Sequence, residues 1–337
     1  MMGSGLAALP LRLAPWLLWS VALAVPAHAA ANEDRSRSEL GLAVEALQLD
    51  DTRLQTVGWR LATANAAFCT SARPAVGLLL QDVMNYNNPG SIRTTLGIAG
   101  DLAVQAVAQD SPAARAGLRP NDAVLAIGPW SMADLPSVSA GDYTRLKTVH
   151  DRIHATLRDE GKVRLRVKRG NDEAREVELV GVPACPGRFE LRTQGGKAQA
   201  DGTRVLIGRR FGATKRPSDV LEESEFAAVV AHEFAHNLLG HSDWLDREGR
   251  GWGNVRRTER EADRLSVWLL ANAGYDPAGA VRLMSGWGRR NDLGILRLPT
   301  HEGWDDRAAS MESEIVRLRV AMERRGAADW SRDFVRE

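Results

Sequence analysis

Hydrophobic positions change their period several times along the chain. Leu13 to Val25 is an apolar run without a charge, preceded by Arg12 and followed by Ala27-His28-Ala29. Leu40, Val44, Leu47, Leu54, Val57 and Leu61 then recur at spacings of three, four and seven, which predicts an amphipathic helix with one break. From Pro74 the pattern shortens to strands. Residues 102–107 and 123–127 read as apolar strands, with a short helical turn over Ser111 to Leu118 between them. Residues 142–160 place Leu146, Val149, Ile153 and Leu157 on one helical face. Val163, Leu165 and Val167 alternate with Arg164, Arg166 and Lys168, as in a half-buried strand, and Gly170-Asn171-Asp172 turns the chain into a partner strand through Val177 and Leu179. Val205-Leu206-Ile207 is strand-like. Four helical stretches follow. The first begins between Ser218 and Ser224 and stops at Gly240, a residue type favoured just past a helix end. The others cover about 255–273, 277–286 and 305–325.

Composition narrows the classes. The chain has 337 residues, 44 Lys+Arg against 43 Asp+Glu, and a net charge of +1. Such balance leaves no electrostatic footprint for nucleic acid and no polybasic arm for anionic lipid. With 44% apolar and 26% charged residues the chain is of ordinary globular composition. Two cysteines exclude a disulfide-rich scaffold and a Cys-only zinc site. Arg12, the 13-residue apolar run and the A-x-A site describe a signal peptide over residues 1–29. The run is shorter than the ~20 residues that span a bilayer, which favours cleavage after Ala29 over an uncleaved anchor. No later stretch reaches 18 apolar residues, so no transmembrane segment is expected in the mature chain. Export, most simply to the periplasm of a Gram-negative bacterium, would put Cys69 and Cys185 where a disulfide persists.

The chemistry is concentrated in one helix. His232-Glu233-Phe234-Ala235-His236 is an HExxH motif. Histidines at i and i+4 project from one helix face and can hold one Zn²⁺ between them, and Glu233 lies near enough to accept the proton of the attacking water. A catalytic zinc needs three protein ligands and an open position. Glu259 and Asp263, at i and i+4 on the next helix, can both face the first. Glu259 then completes a His₂Glu set, and Asp263 accepts the free ring N–H of a ligand histidine. The competing interpretation is an ordinary charged helix face, Glu259 pairing with Arg256 or Arg260. The HExxHxxGxxH pattern is excluded by Leu239 and Ser242, and His241 reads as a histidine at the negative end of the helix dipole rather than a zinc contact.

Two resemblances follow from these residues. SPAARAGLRPNDAVLAIG resembles the signature segment of a PDZ domain of the bacterial protease-associated type, over about 74–182. It implies a groove that takes an extended peptide, often a C-terminus, as an added strand. Val76-Gly77-Leu78-Leu79 and Leu96-Gly97-Ile98 are both candidates for its carboxylate-binding loop. SEFAAVVAHEFAHNLLGH, TEREADRLSVWLLANAGYDP, the Ala200-Asp201-Gly202 step and Thr300-His301 followed by Arg307 resemble the M48 family of zinc metallopeptidases, over about 184–325. Where that family often has proline after the late histidine, this chain has Glu302-Gly303.

The resemblances imply an α+β chain, with a mainly helical zincin-type metallopeptidase domain preceded by a PDZ-like β-rich domain. The order would be a signal peptide (1–29), a helical segment (30–73), the PDZ-like domain (74–183), the peptidase domain (184–325) and a tail (326–337). His232, His236 and Glu259 would hold one Zn²⁺ per chain, with Asp263 behind them. Glu233 would be general base and then acid. The strand around Val205-Leu206-Ile207 would pair with the substrate backbone. His301 would cap the metal at rest or line the site, and Arg307 would stabilise the carbonyl oxygen as charge develops on it. A Cys69–Cys185 disulfide would staple the base of the PDZ-like insertion. The implied activity is an exported zinc endopeptidase acting on unfolded or misassembled envelope proteins. Its partners would be polypeptides, including C-termini in the groove, with the oligomeric state left open. The alternative is a zinc-containing chaperone-like or PDZ peptide-binding protein without significant proteolysis.

Overall fold

The computed structural model describes residues 27–211, 221–289 and 303–337. The apolar run before Ala27 lies outside the described residues, as does His301.

Helix α1 (Ala27–Ala64) is continuous where one break was expected. The gap of seven between Leu47 and Leu54 spans about two turns, so both ends of the pattern stay on one face. Val44 near its middle packs with Val83, Ile92 and Ala103, while Leu54, Val57 and Leu61 join a second core built mostly from residues after 184. The segment read as 30–73 therefore serves two cores. Gly58 permits the second contact, since a Cβ there would overlap the Phe189 ring.

The middle of the chain forms an antiparallel sheet of β2 (Leu78–Asp82), β3 (Leu102–Val107), β4 (Ala123–Ile127), β6 (Lys162–Lys168) and β7 (Arg175–Val180), in that order, with β5 (Trp130–Ser131) paired to β4. Burial along β6 alternates as its sequence does: Val163, Leu165 and Val167 face inward and Arg164 and Arg166 face out. Helices α2 (Pro89–Leu96) and α3 (Pro112–Arg115) lie in the connections around β3. Helix α4 (Thr144–Glu160) buries Val149, Ile153 and Leu157 in the core of the sheet. The chain enters and leaves this unit side by side, because β1 (Arg73–Ala75) pairs antiparallel with β8 (Val182–Ala184).

Cys69 and Cys185 sit just outside that clasp. Both are buried free thiols, not the expected disulfide. They are held by hydrogen bonding instead: the Cys185 thiol reaches the Asn65 carbonyl at 3.4 Å. Hydrogen bonding between the two sulfurs pulls the Cys69 pKa down to about 6 and pushes that of Cys185 up.

The remainder has a three-stranded sheet, β10 (Ala198–Ala200), β11 (Arg204–Gly208) and β9 (Arg188–Arg192), in the order β10-β11-β9. Against it packs α5 (Glu223–Leu238), and α6 (His241–Glu248), α7 (Trp252–Asn272), α8 (Ala278–Leu283) and α9 (Trp304–Arg325) pack around α5 and one another. Helix α5 starts with a reciprocal capping box between Glu222 and Glu225. Its Phe226, Ala227, Val230, Ala231 and Phe234 are buried, as suits a helix covered on most sides. The Trp268 indole of α7 donates to Glu314 of α9 at 2.9 Å. Residues 326–337, read as a tail, pack onto this body: Ala328 is fully buried and the Trp330 indole donates to Asn65. The described residues are thus α+β, with three sheets among them. Among the described residues no helix is long and apolar enough to cross a membrane.

Candidate metal centre

Helices α5 and α7 face each other across one group of side chains. The 3.6-residue period puts His232 and His236 on the same side of α5, and Glu259 and Asp263 on the facing side of α7. The His232 Nε2 and His236 Nε2 atoms are 3.2 Å apart. Glu259 Oε2 is 3.5 Å from the first, and Glu259 Oε1 is 3.4 Å from the second. Tetrahedral zinc with ligands at 2.0–2.1 Å needs ligand atoms about 3.3 Å apart. These three residues offer ligand atoms close enough for one such ion, each Glu259 oxygen lying nearest a different histidine, and they are the one such group among the described residues.

The outer nitrogens of the two rings are also held. His232 Nδ1 is 2.9 Å from Asp263 Oδ1. Asp263 in turn accepts from Arg307, Nε at 2.6 Å and a terminal nitrogen at 2.8 Å. His236 Nδ1 is 2.8 Å from His241 Nδ1, and His241 Nε2 is 3.1 Å from Glu261 Oε2. Gly240, at φ 65°, makes the second arrangement possible. It ends α5 in the left-handed region and returns the chain, so that His241 folds back against His236.

The electrostatics suit a cation. Burial disfavours a charged His232, but Asp263 and Glu259 outweigh it and raise its pKa to about 10. Burial likewise raises Glu259, yet the two histidines hold it well below the usual carboxylate range. Burial pushes Glu233 upward, opposed by the same histidines. Proton and metal compete for the same ring nitrogens, so a site of this kind binds metal more weakly as pH falls.

The group lines a cleft of about 820 Å³. Ala228, Val229, Leu283, Met284, Trp304 and Met311 give it an apolar wall. Its opposite side includes Ala198, Gln199 and Ala200 of β10. This changes the expectation for the substrate strand. Residues 205–207 lie in β11, which is flanked by β9 and β10 and has no open edge. β10 is an edge strand of this sheet, and it lies at the cleft.

Three other expectations change. Arg307 was expected to face a reacting oxygen; its guanidinium is instead forked onto Asp263, with Glu259 Oε2 3.6 Å away. That makes it a support for His232. His241, read as a histidine at the negative end of the helix dipole, instead opens α6 just past Gly240; it is 1% exposed, its ring edge-on to His236 at 4.9 Å between centroids. The sequence had no signal for Glu261 and Arg336 beyond charge. Of the two loop candidates in the first sheet, residues 76–79 border a small cavity of about 90 Å³ beside His150 and Ile153 of α4. Gly97 instead caps α2, its N–H donating to the Arg93 carbonyl. Trp59 of α1 and Phe189 of β9 also line that cavity.

No family model matches the chain, and no curated protein matches it either.

Proposed function

We propose that the chain is an exported zinc-dependent endopeptidase, an M48-type metallopeptidase preceded by a PDZ-like unit. The observation that carries the reading is the convergence of His232 Nε2, His236 Nε2 and the two oxygens of Glu259, with His–His and His–Glu distances of 3.2 to 3.5 Å, a grouping that suits one zinc ion. Bound there, Zn²⁺ would polarise a scissile carbonyl and make water a nucleophile near neutral pH. Glu233, next to His232 on the helix and lining the same cleft, takes the water proton and passes it to the leaving amine. Burial raises its pKa, which strengthens it as a base. Asp263 and Arg307 hold His232 with its Nε2 lone pair aimed inward. The edge of β10 offers backbone groups to an extended polypeptide, and the apolar wall accepts its side chains.

Peptide binding without hydrolysis, through the groove between β2 and α4, has less support. The cavity there is about 90 Å³ and is walled by Trp59 and Phe189 of the chain itself.

The test pairs elemental analysis with digestion of casein by wild type and Glu233→Gln. One zinc per chain is expected in both. The variant should lose about 10²–10⁴-fold in rate, the usual worth of a general base. Equal casein cleavage by both proteins would refute the assignment.

A further inference from the structure

The two histidines of the site are supported by different chains of residues. His232 rests directly on a carboxylate, Asp263, which rests on Arg307. His236 has no carboxylate at its outer nitrogen. It meets His241 Nδ1 at 2.8 Å, and only behind His241 comes a carboxylate, Glu261. Both His241 and Glu261 are 1% exposed.

The environment of Glu261 fixes the direction of these bonds. One of its oxygens accepts from Arg336 Nε at 2.9 Å, and the other from the backbone N–H of Glu337 at 2.9 Å. Arg257 Nε adds a longer contact at 3.3 Å. A carboxylate facing these donors is ionised and can only accept, so His241 Nε2 must carry its proton toward it. A neutral His241 then presents a bare Nδ1 to His236, and His236 Nδ1 must donate. That leaves His236 Nε2 unprotonated and directed at His232 and Glu259. Arg336 also donates to the Leu239 carbonyl at 3.0 Å, tying the end of α5 to α7 beside Glu261. Arg264 holds the same segment through the Val335 carbonyl at 2.9 Å.

We propose that His241 is a positioning residue for metal binding: oriented by Glu261 and Arg336, it accepts the Nδ1 proton of His236 and thereby presents that ring's Nε2 lone pair to the ion. The inference rests on the zinc reading of the site and deepens it. It assigns to residues 335–337, distant in sequence from the HExxH helix, the task of holding one ligand's tautomer. A partner at this position is ordinarily worth 10–100-fold in metal affinity.

The experiment measures zinc affinity by chelator competition on the full chain, for wild type, His241→Phe and His241→Asn, with circular dichroism to verify folding. Phenylalanine keeps the ring and removes the acceptor; asparagine keeps an oxygen where Nδ1 lies. His241→Phe should bind about 10–100-fold more weakly, and His241→Asn should recover most of the loss. Arg336→Ala should weaken binding by less than His241→Phe. The second measurement needs no variant: ¹⁵N–¹H correlation of the imidazoles in zinc-loaded wild type should find His236 protonated at Nδ1 and His241 at Nε2. A folded His241→Phe with wild-type affinity overturns the proposal. So does equal weakening by Phe and Asn, which would make the effect one of packing, or a His241 proton on Nδ1. A wild type that takes up no zinc overturns the metal site itself. A wild type that binds zinc but leaves casein intact overturns the peptidase reading alone.

Discussion

Arg307 and Asp263 show how far one side chain's role depends on its neighbour. Burial raises Asp263, but Arg307 and His232 more than offset this and lower its pKa. A buried, ionised carboxylate between an arginine and an imidazole is a strong orienting group. Asp263→Asn should therefore lose about 10–100-fold in zinc affinity, while Glu259→Gln, which removes an anionic ligand, should lose most of it. Elemental analysis after dialysis against a weak chelator checks both, and full zinc in Glu259→Gln would show that the third ligand lies elsewhere. His150, in the other core, gives a pH dependence. Burial and nearby His154 and Arg188 depress its pKa to about 3, against the opposing Asp151. The unfolded chain takes up this proton below about pH 6.5, and the folded chain does so only near pH 3. Stability from this group is thus full above about pH 6.5 and is lost on acidification, by up to about 5 kcal/mol at full protonation. Urea midpoints between pH 7 and 4 should fall steadily in wild type and less steeply in His150→Gln, which keeps an acceptor for the Leu80 N–H. Identical slopes would place the effect on other groups.

Among the elements, α1 is the one on which both cores depend. It meets the second core at Gly58, where the Phe189 ring occupies the space of a Cβ. Gly58→Ala gains about 1 kcal/mol of helix propensity but forces the ring away, and overpacking costs about 1–3 kcal/mol. A net loss of up to about 2 kcal/mol is expected by urea denaturation, and Phe189→Leu should recover part of it in the double mutant. A stabilised Gly58→Ala would mean that α1 and β9 move apart freely. The helix was legible in its spacing of three, four and seven. Its continuity was not, because a gap of two turns looks the same as a break until the partner surface is known. β10 was overlooked for a related reason: the alternation of Ala198-Gln199-Ala200 is only three residues long and weakly apolar, and it is a strand because β11 pairs with it.

At the scale of the molecule, the β1–β8 clasp joins the sheet unit to the body, and the two thiols lie beside it. The structure leaves them as free thiols where an exported chain was expected to bridge them. Mass spectrometry of the non-reduced, alkylated protein should find both cysteines modified, and an unmodified pair would overturn this. The sequence by itself marked the long helices α4, α5, α7 and α9, the antiparallel β6–β7 hairpin, and the pairs His232/His236 and Glu259/Asp263 as groups on single helix faces. All are properties of local geometry: periods of 2 and 3.6, a turn, and pairs at i and i+4. Only the tertiary structure decided that Arg307 supports Asp263, that β10 rather than β11 edges the cleft, and that Glu261 and Arg336, 75 positions apart, meet behind His241. Such pairings carry no local period. They exist because packing α7 against α5 buries charges that must find partners, and the nearest partners in space lie far away along the chain.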